Sequence, residues 1–210
     1  MSYSQNNEEE VIRNYFAGRT GRLLDIGAND GVTFSNSFAL LQAGWTGMLI
    51  EPSLKASTRL KELYKGNTKG IECFNFGIAE TTGFFEFHES GPFDHQGADI
   101  GLLSTLEIAE TGRWGSRVAY ETGNAWFMSF SDFLAACCER NIRKFEFISI
   151  DAEGYDWRIL QQIDLNEVGC KCLCIEHNGK EDLLALFRGH CRLFGLQQLS
   201  INAENIIFGR

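Results

Sequence analysis

Short apolar runs of strand length alternate with amphipathic stretches of helix length along most of this sequence. Strands are predicted at residues 22–26, 47–50, 70–76, 145–150 and 171–175, and helices at residues 11–17, 34–43, 53–64, 131–140, 155–163 and 181–188. Two closing strands, at residues 193–200 and 205–208, are separated only by a short turn and predict an antiparallel hairpin. The pattern therefore predicts an α/β fold, with a doubly wound, mainly parallel sheet and helices on both faces.

The size and charge of the chain limit its partners. Its 210 residues suffice for one α/β domain, predicted to span residues 1–210, of which residues 1–10 are polar and expected to be unstructured. A net charge of -9 without a basic stripe argues against nucleic acid as a partner. No apolar run has the length of a membrane span, and no signal peptide is recognisable. We expect a cytoplasmic protein with a small-molecule or glycan substrate, and the sequence leaves its oligomeric state open.

The cysteines predict a packed interior. The chain has 7 of them, and Cys170, Cys172 and Cys174 alternate as they would on one face of a strand. Structural zinc sites favour pairs spaced C-x₂-C, and the sequence contains no such pair. We therefore interpret the three as small apolar side chains of a core.

One segment departs from the alternating pattern. Residues 83–88 predict an antiparallel strand, but residues 88–122 are rich in glycine and show little periodicity. A long irregular insertion in a compact domain is usually a binding loop. We expect residues 88–122 to cover the substrate.

The strongest local motif is D-I-G-A-N-D-G at residues 25–31, directly after the first predicted strand. Gly27 and Gly31 permit a sharp turn and the close approach of a ligand, and the next helix presents free N–H groups there. The spacing, with Asn29 between the glycines, differs from the G-x-G-x-x-G of dinucleotide-binding folds. Asp25 suits a cofactor with a cationic amino-acid tail better than one with a pyrophosphate. An ordinary tight turn is the alternative interpretation.

Two further positions extend this candidate cofactor site. Glu51 ends the second predicted strand, where an acid accepts hydrogen bonds from ribose hydroxyls. Asn75 and Phe76 end the third strand, where an adenine ring is expected, with Phe76 and Ile78 on either side of it. A solvated loop acid and ordinary core packing are the respective alternatives.

These motifs resemble the FkbM family of methyltransferases. The resemblance runs from about residue 23 to residue 178 and rests on L-L-D-I-G-A-N-D-G (23–31), I-E-P-S (50–53), N-F-G-I-A (75–79), L-S-T-L (103–106), S-I-D-A-E-G-Y-D (149–156) and I-E-H-N (175–178). It implies a class I methyltransferase (Rossmann-like) fold, S-adenosylmethionine as the donor and O-methylation as the usual reaction. It also implies that the cofactor is bound by Asp25, Gly27, Asn29, Gly31 and Glu51. Ser149 stands where the family often has lysine, which puts any catalytic role of that lysine in doubt here.

Acidic side chains follow two neighbouring strands of the predicted sheet. Asp151 and Glu153 follow one strand, and Glu176 and His177 follow the next. The carboxyl ends of these strands meet at the ligand crevice, so we expect the two groups to converge beside the transferred methyl group, with Asp151 also contacting the cofactor. Asp156 is better explained as a helix-capping acid.

The acidic group supports two catalytic hypotheses. In one, Asp151, Glu153, Glu176 and His177 bind a divalent metal that orients the acceptor oxygen: Mg²⁺, Mn²⁺ or Ca²⁺ on oxygen ligands, with Zn²⁺ or Fe²⁺ less favoured. In the other, Asp151, Glu153 or His177 acts as a general base without metal. The sequence leaves both open.

Two other functional classes compete with an O-methyltransferase. A nucleotide-dependent oxidoreductase is disfavoured by the glycine spacing and by the lack of a separate substrate domain. A binding module that kept the fold and lost catalysis is disfavoured by the intact acids at both strand ends. The sequence does not identify the methyl acceptor, nor does it distinguish O- from N- or C-methylation.

Overall fold

The computed structural model describes residues 3–95 and 99–210, and a seven-stranded sheet forms its centre. Its strands are β1 (Arg22–Ile26), β2 (Thr46–Ile50), β3 (Ile71–Phe74), β7 (Phe147–Ile150), β8 (Cys172–Glu176), β9 (Gln197–Ile201) and β10 (Asn205–Gly209). They lie in the order β3-β2-β1-β7-β8-β10-β9. Strands β3, β2, β1, β7 and β8 are parallel, and β10 is antiparallel to both β8 and β9. The predicted parallel sheet with an antiparallel C-terminal hairpin is confirmed.

Helices cover both faces of this sheet, as the alternating pattern predicts. They are α1 (Glu8–Phe16), α2 (Phe38–Gln42), α3 (Leu54–Leu63), α5 (Phe130–Glu139), α6 (Asp156–Leu160) and α7 (Glu181–Leu193), whereas α4 (Ile108–Trp114) lies in the segment at residues 88–122. Helices α1, α2 and α3 contribute to one hydrophobic cluster, and α5, α6 and α7 contribute to the other. Successive residues of β1 alternate between the clusters, because side chains of a strand point to opposite faces. Within the described residues, no helix has the length and apolar character needed to cross a bilayer.

The cysteines are core residues, as predicted. Cys172 and Cys174 are buried in the cluster beneath α1, α2 and α3, whereas Cys170 precedes β8 and packs into the opposite cluster. All three are free thiols. Burial raises the pKa of each thiol, so they are inert packing groups at neutral pH.

A second, three-stranded sheet interrupts the alternation of parallel strands and helices. It consists of β4 (Gly77–Ala79), β5 (Gly83–Ser90) and β6 (Tyr120–Ser129), in the order β4-β6-β5. The strand predicted at residues 70–76 ends at Phe74, and the chain then leaves the main sheet to form β4. The antiparallel strand predicted at residues 83–88 is present and continues to Ser90.

The segment at residues 88–122 is more regular than predicted. It contains the end of β5, helix α4 and the start of β6, and residues 96–98 of it lie outside the described residues. His88 and Thr105 form a bridge through their backbone groups, at 2.9 and 3.0 Å, which fastens the segment to the edge of β5. Most of the segment is thus ordered by the second sheet.

The prediction of an unstructured N-terminus is wrong for residues 3–10. Ser4 pairs with Phe34 in a short parallel bridge, and the ring of Tyr3 packs edge-on against Phe38 at 4.6 Å. The Asn6 side chain donates a hydrogen bond to Glu204 at 2.8 Å. Helix α1 therefore begins at Glu8, three residues before its predicted start at residue 11, because these contacts hold the preceding chain.

Helix boundaries depend on their capping groups. Ser53 caps α3 as predicted, accepting a hydrogen bond from the Ala56 amide at 3.2 Å. Helix α5 was predicted to be capped by Ser131, but Ser129 is the cap and accepts from the Asp132 amide at 3.1 Å. Helix α2 begins at Phe38 instead of residue 34, because Phe34 has a left-handed φ of 54° that a helix excludes.

Candidate active site

A cavity of about 490 Å³ opens at the carboxyl ends of the parallel strands. Asp25 of β1, Glu51 after β2, Asp151 after β7 and Glu176 of β8 all line it. Strand β1 lies between β2 and β7, so the strand order runs in one direction from β1 to β2 and β3 and in the opposite direction from β1 to β7 and β8. Open α/β sheets bind ligands at such a reversal, and the volume lies in the range of small-molecule sites.

Gly27 brings two parts of the cavity floor into contact. Its φ is +86°, and a Cβ atom there would lie 1.7 Å from the carbonyl oxygen of Asp151. The Gly27 and Ala28 amides donate to the Ile50 carbonyl at 2.9 and 3.0 Å, which ties the turn to the end of β2. The position thus requires glycine both for backbone conformation and for space.

Gly31, which the resemblance places in the cofactor site, packs against α3. A Cβ atom there would lie 2.6 Å from Leu60 Cδ1 and 3.2 Å from Leu63 Cδ2, both on α3. Gly31 therefore allows α3 to pack closely against the turn, and it does not line the cavity.

Glu51 is fixed at the cavity by backbone groups from two elements. Its carboxylate accepts hydrogen bonds from the Asn29 amide at 2.9 Å and the Ser53 amide at 2.6 Å. Burial raises its pKa to about 7, despite these hydrogen bonds. Asn29 has a φ of 48° and also lines the cavity, and its side-chain amide donates to the Ile100 carbonyl at 3.1 Å. The turn after β1 is thereby connected to the segment predicted to cover the substrate.

Asp25 lies at the base of the cavity with 4% of its surface exposed. The Ser37 hydroxyl donates a hydrogen bond to its carboxylate. Burial raises the pKa of Asp25 to about 6, and the hydrogen bond from Ser37 acts in the opposite direction. Ser149, which stands at the position of the family's lysine, is the register partner of Asp25 on β7 and also lines the cavity.

The structure places Asn75 and Phe76 outside the cavity lining, although an adenine site was predicted there. The Asn75 amide donates to the carbonyl oxygens of Glu51 and Pro52, each at 3.0 Å. Phe76 packs between the rings of Phe74 and Phe133, at 5.7 and 6.2 Å. The following residues, Gly77 and Ile78, line the cavity instead, because the chain turns there into the second sheet.

Three carboxylates converge on one side of the cavity. Asp151, Glu153 and Glu176 each present an oxygen, and these atoms lie within 4.8 Å of one another. We call these residues the acidic trio. Glu176 is 6% exposed, and its Oε2 atom has no hydrogen-bond partner among the described residues. Glu153 has a left-handed φ of 46°, a conformation that costs energy and is found disproportionately at functional sites.

Burial and mutual repulsion raise the pKa values of all three carboxyl groups of the acidic trio. Burial, and then repulsion from Asp156 and other acids, raises the pKa of Asp151 to about 8. Burial and repulsion from Asp151 raise the pKa of Glu153 and of Glu176 well above their ordinary value. Protonation or a bound cation would relieve this repulsion.

The structure does not bring His177 to the acidic trio. Its Nε2 atom lies 3.1 Å from the Asn202 carbonyl oxygen, and its Nδ1 atom accepts a hydrogen bond from the Gly179 amide at 3.0 Å. Both ring nitrogens are thus used by backbone groups, and the residue does not line the cavity. The sequence predicted His177 as a metal ligand or a base, and the structure places it away from the acidic trio and the cavity lining.

Asp156 is a structural acid, but it is not the helix cap that the sequence predicted, because it is the first residue of α6 and Tyr155 holds the N-cap position. Its carboxylate accepts from the Ala152 amide at 2.9 Å and the Gly154 amide at 3.0 Å. These bonds hold the turn that carries Asp151 and Glu153. The acid therefore supports the acidic trio without belonging to it.

Helix α4 adds Arg113 to the cavity, a residue that sequence reasoning did not assign, and it also brings Trp114 there, for which the sequence suggested stacking on a substrate ring. Arg113 and Trp114 line the cavity, and the Arg113 guanidinium donates to Asn178 Oδ1 at 3.1 Å. Glu110 pairs with Lys180 and, at 3.5 Å, with Arg113. The glycine and threonine content of this stretch conceals a helix, so position within the irregular segment was the available signal.

The comparisons agree with this architecture. The methyltransferase FkbM domain model matches residues 25–189. A methyltransferase from Geobacter sulfurreducens superimposes with a TM-score of 0.52 at 9% identity, covering 99% of this chain and 79% of that one. An O-methyltransferase from Bacillus cereus, solved with S-adenosylhomocysteine, gives a TM-score of 0.50 at 10% identity, covering 100% and 83%. A search of curated proteins gives no significant match. At these identities the solved structures show the class I methyltransferase fold, and the matched domain shows that the chain belongs to the FkbM methyltransferase family.

Proposed function

We propose that this chain is an S-adenosylmethionine-dependent O-methyltransferase whose acidic trio holds a divalent cation beside the acceptor hydroxyl. The observation that carries the proposal is the convergence of Asp151, Glu153 and Glu176 within 4.8 Å, next to the cavity lined by Asp25, Gly27 and Glu51. A buried set of like charges needs a counter-charge, and the buried Glu176 Oε2 has no hydrogen-bond partner among the described residues.

The donor site fits the cofactor that the family implies. Glu51 is held rigidly enough by the Asn29 and Ser53 amides to accept hydrogen bonds from ribose hydroxyls. Gly27 lines the cavity in the turn after β1, and Asp25 offers a negative charge for a cationic amino-acid tail. When bound, S-adenosylmethionine supplies a methyl group already activated by its sulfonium. The chain's own task is then to orient the acceptor and exclude water.

The acidic trio favours a hydroxyl as the acceptor. A neutral hydroxyl is a weak nucleophile until its proton is removed or a cation lowers its pKa, whereas a neutral amine needs no such help. Carboxylate ligands without histidine favour Mg²⁺, Mn²⁺ or Ca²⁺ over Zn²⁺ or Fe²⁺. Because His177 bonds to backbone groups, we leave it out of both the metal ligands and the bases.

The cavity and the charge of the chain support a small acceptor. A volume of about 490 Å³ suits a small molecule or the end of a glycan. The net charge of -9 supports an acceptor other than nucleic acid. Residues 99–122 bring Arg113 and Trp114 to the cavity wall, where they would contact the acceptor.

Ligand-dependent thermal stability tests the proposal. We expect S-adenosylhomocysteine to raise the melting temperature, NAD to leave it unchanged, and Mn²⁺ to raise it further. The Mn²⁺ effect should disappear in Glu176→Gln and persist in the control Glu62→Gln, whose side chain is 70% exposed on α3. An Mn²⁺ effect that survives Glu176→Gln would contradict the metal site and favour a metal-free base, and stabilisation by NAD alone would contradict the donor.

A further inference from the structure

Asn36 is a buried polar residue of the cavity wall that none of the motifs includes. It is 5% exposed and lines the cavity. Its Oδ1 atom is buried and has no hydrogen-bond partner among the described residues. A buried acceptor left unpaired is unfavourable, so its position on a cavity wall points to a ligand that supplies a donor.

The neighbours of Asn36 connect its loop to Asp25. Ser35 Oγ accepts hydrogen bonds from the Ser37 amide at 3.3 Å and the Phe38 amide at 3.0 Å. The Ser37 hydroxyl in turn donates to the Asp25 carboxylate. Residues 35–37 are thereby fastened to the end of β1, and Asn36, which lies between Ser35 and Ser37, lines the same cavity as Asp25.

The ligand group that matches this corner is a cation with several hydrogens to donate. Asp25 contributes a carboxylate and Asn36 an amide oxygen, so both are acceptors. Among the described residues, no lysine or arginine lies within ion-pair distance of Asp25. A primary ammonium group would satisfy both acceptors.

We propose that Asn36 Oδ1, together with Asp25, accepts hydrogen bonds from the α-ammonium group of the methyl donor. The inference rests on the proposed function and adds a residue that binds the amino-acid end of the donor. Glu51, at the end of the neighbouring strand β2, would then bind the ribose, so the two ends of the donor have separate anchors.

The experiment compares two ligands that differ only in that end. S-adenosylhomocysteine carries the α-amino acid, and 5′-methylthioadenosine lacks it. Both ligands are titrated calorimetrically into the wild-type chain, Asn36→Leu, Asn36→Asp and the control Ser57→Ala. Each protein gives one ratio of its affinity for S-adenosylhomocysteine to its affinity for 5′-methylthioadenosine. Ser57 also buries an unpartnered oxygen, but it lies on α3 and does not line the cavity.

We expect Asn36→Leu to weaken S-adenosylhomocysteine about tenfold, which corresponds to ~1.4 kcal/mol, and to leave 5′-methylthioadenosine unchanged. Asn36→Asp keeps an acceptor at the same size, so it should retain the wild-type affinity ratio even if the leucine variant does not fold. Ser57→Ala should keep that ratio too. An Asn36→Leu variant that weakens both ligands equally or neither, or an Asn36→Asp variant that loses the preference for S-adenosylhomocysteine, would overturn the inference. If the wild-type chain binds neither ligand, the proposed function itself fails, which is a separate result.

Discussion

The carbonyl oxygen of Asp151 occupies the space where any side chain on Gly27 would begin, with 1.7 Å between that oxygen and an ideal Cβ. The turn of the donor site and the first residue of the acidic trio therefore share one contact. A shift in either backbone must displace the other.

Gly27→Ala should destabilise the protein by more than about 3 kcal/mol, because it combines a left-handed φ with a clash against backbone. Gly44→Ala is the matched control: its φ is +96°, and nothing lies within 4 Å of its added Cβ. We expect the control to cost about 1–2 kcal/mol, the usual strain of a left-handed alanine. Urea unfolding measures both, and equal losses would show that the contact with Asp151 yields easily.

The cap of α5 gives a second prediction. Ser129→Ala should cost about 1 kcal/mol, because Ser129 Oγ accepts from the Asp132 amide at 3.1 Å. Ser131→Ala should change stability by less than about 0.5 kcal/mol, because Ser131 is exposed and caps no helix end. Chemical denaturation of the two variants separates them, and a larger loss in Ser131→Ala would reverse the assignment.

Stability should fall as pH rises from about 5 to 8 in the ligand-free protein. The pKa of Glu51 is raised from its ordinary value of 4.5 to about 7 and that of Asp25 from 3.8 to about 6. Between these limits the unfolded chain loses protons that the folded chain keeps, so the free energy of unfolding decreases with pH.

Glu51→Gln removes one of these titrating groups and should make the free energy of unfolding less dependent on pH. Between pH 5 and pH 8 the free energy of unfolding should decrease less in Glu51→Gln than in the wild type. At ~1.36 kcal/mol per pKa unit, we expect the difference to be about 3 kcal/mol. Glu62→Gln, an exposed change, should keep the wild-type slope. Unfolding curves at several pH values provide the test, and a Glu51→Gln slope equal to that of the wild type would contradict the burial of a protonated Glu51.

Helix α4 is held to the residues after β8 by the Lys180–Glu110 ion pair and by the Arg113–Asn178 hydrogen bond, and it should detach more often when the ion pair is lost. Lys180 pairs with Glu110, whose side chain is 11% exposed. Lys180→Ala should speed amide hydrogen exchange across α4 about tenfold, because the remaining Arg113–Glu110 pair lies within the same helix. Lys65→Ala removes an exposed ion pair, with side chains 73% and 70% exposed, and should leave exchange in α4 unchanged. Unchanged exchange in Lys180→Ala would show that other contacts hold the helix.

The strands of the main sheet and the start of α3 were predictable from sequence because periodicity and helix caps depend on residues close together in the chain. Strand β1 has the predicted boundaries, Arg22–Ile26, and Ser53 caps α3 as expected. Asp151, Glu153 and Glu176 were predicted to converge because parallel strands end at one edge of a sheet, and they do lie together.

The remaining features depend on contacts between distant parts of the chain. Strand β6 shows mostly exposed residues, so no apolar alternation marks it, and it is defined by pairing with β5 and β4. The ring of His177 turns toward Asn202, a residue of the C-terminal hairpin that lies 25 positions away. Asn36 carries no motif, and its significance depends on the missing partner of Oδ1.

The position of β1 between β2 and β7 has a consequence for biosynthesis. Leu23, Leu24 and Ile26 are buried by neighbours on both sides of the strand, and one of those neighbours belongs to the C-terminal part of the chain. During translation, the edge of β1 that pairs with β7 stays open until residue 150 has left the ribosome. Over that interval the unpaired backbone edge of this apolar strand can pair with the wrong partner. A fragment that ends before β7 would keep that edge unpaired permanently.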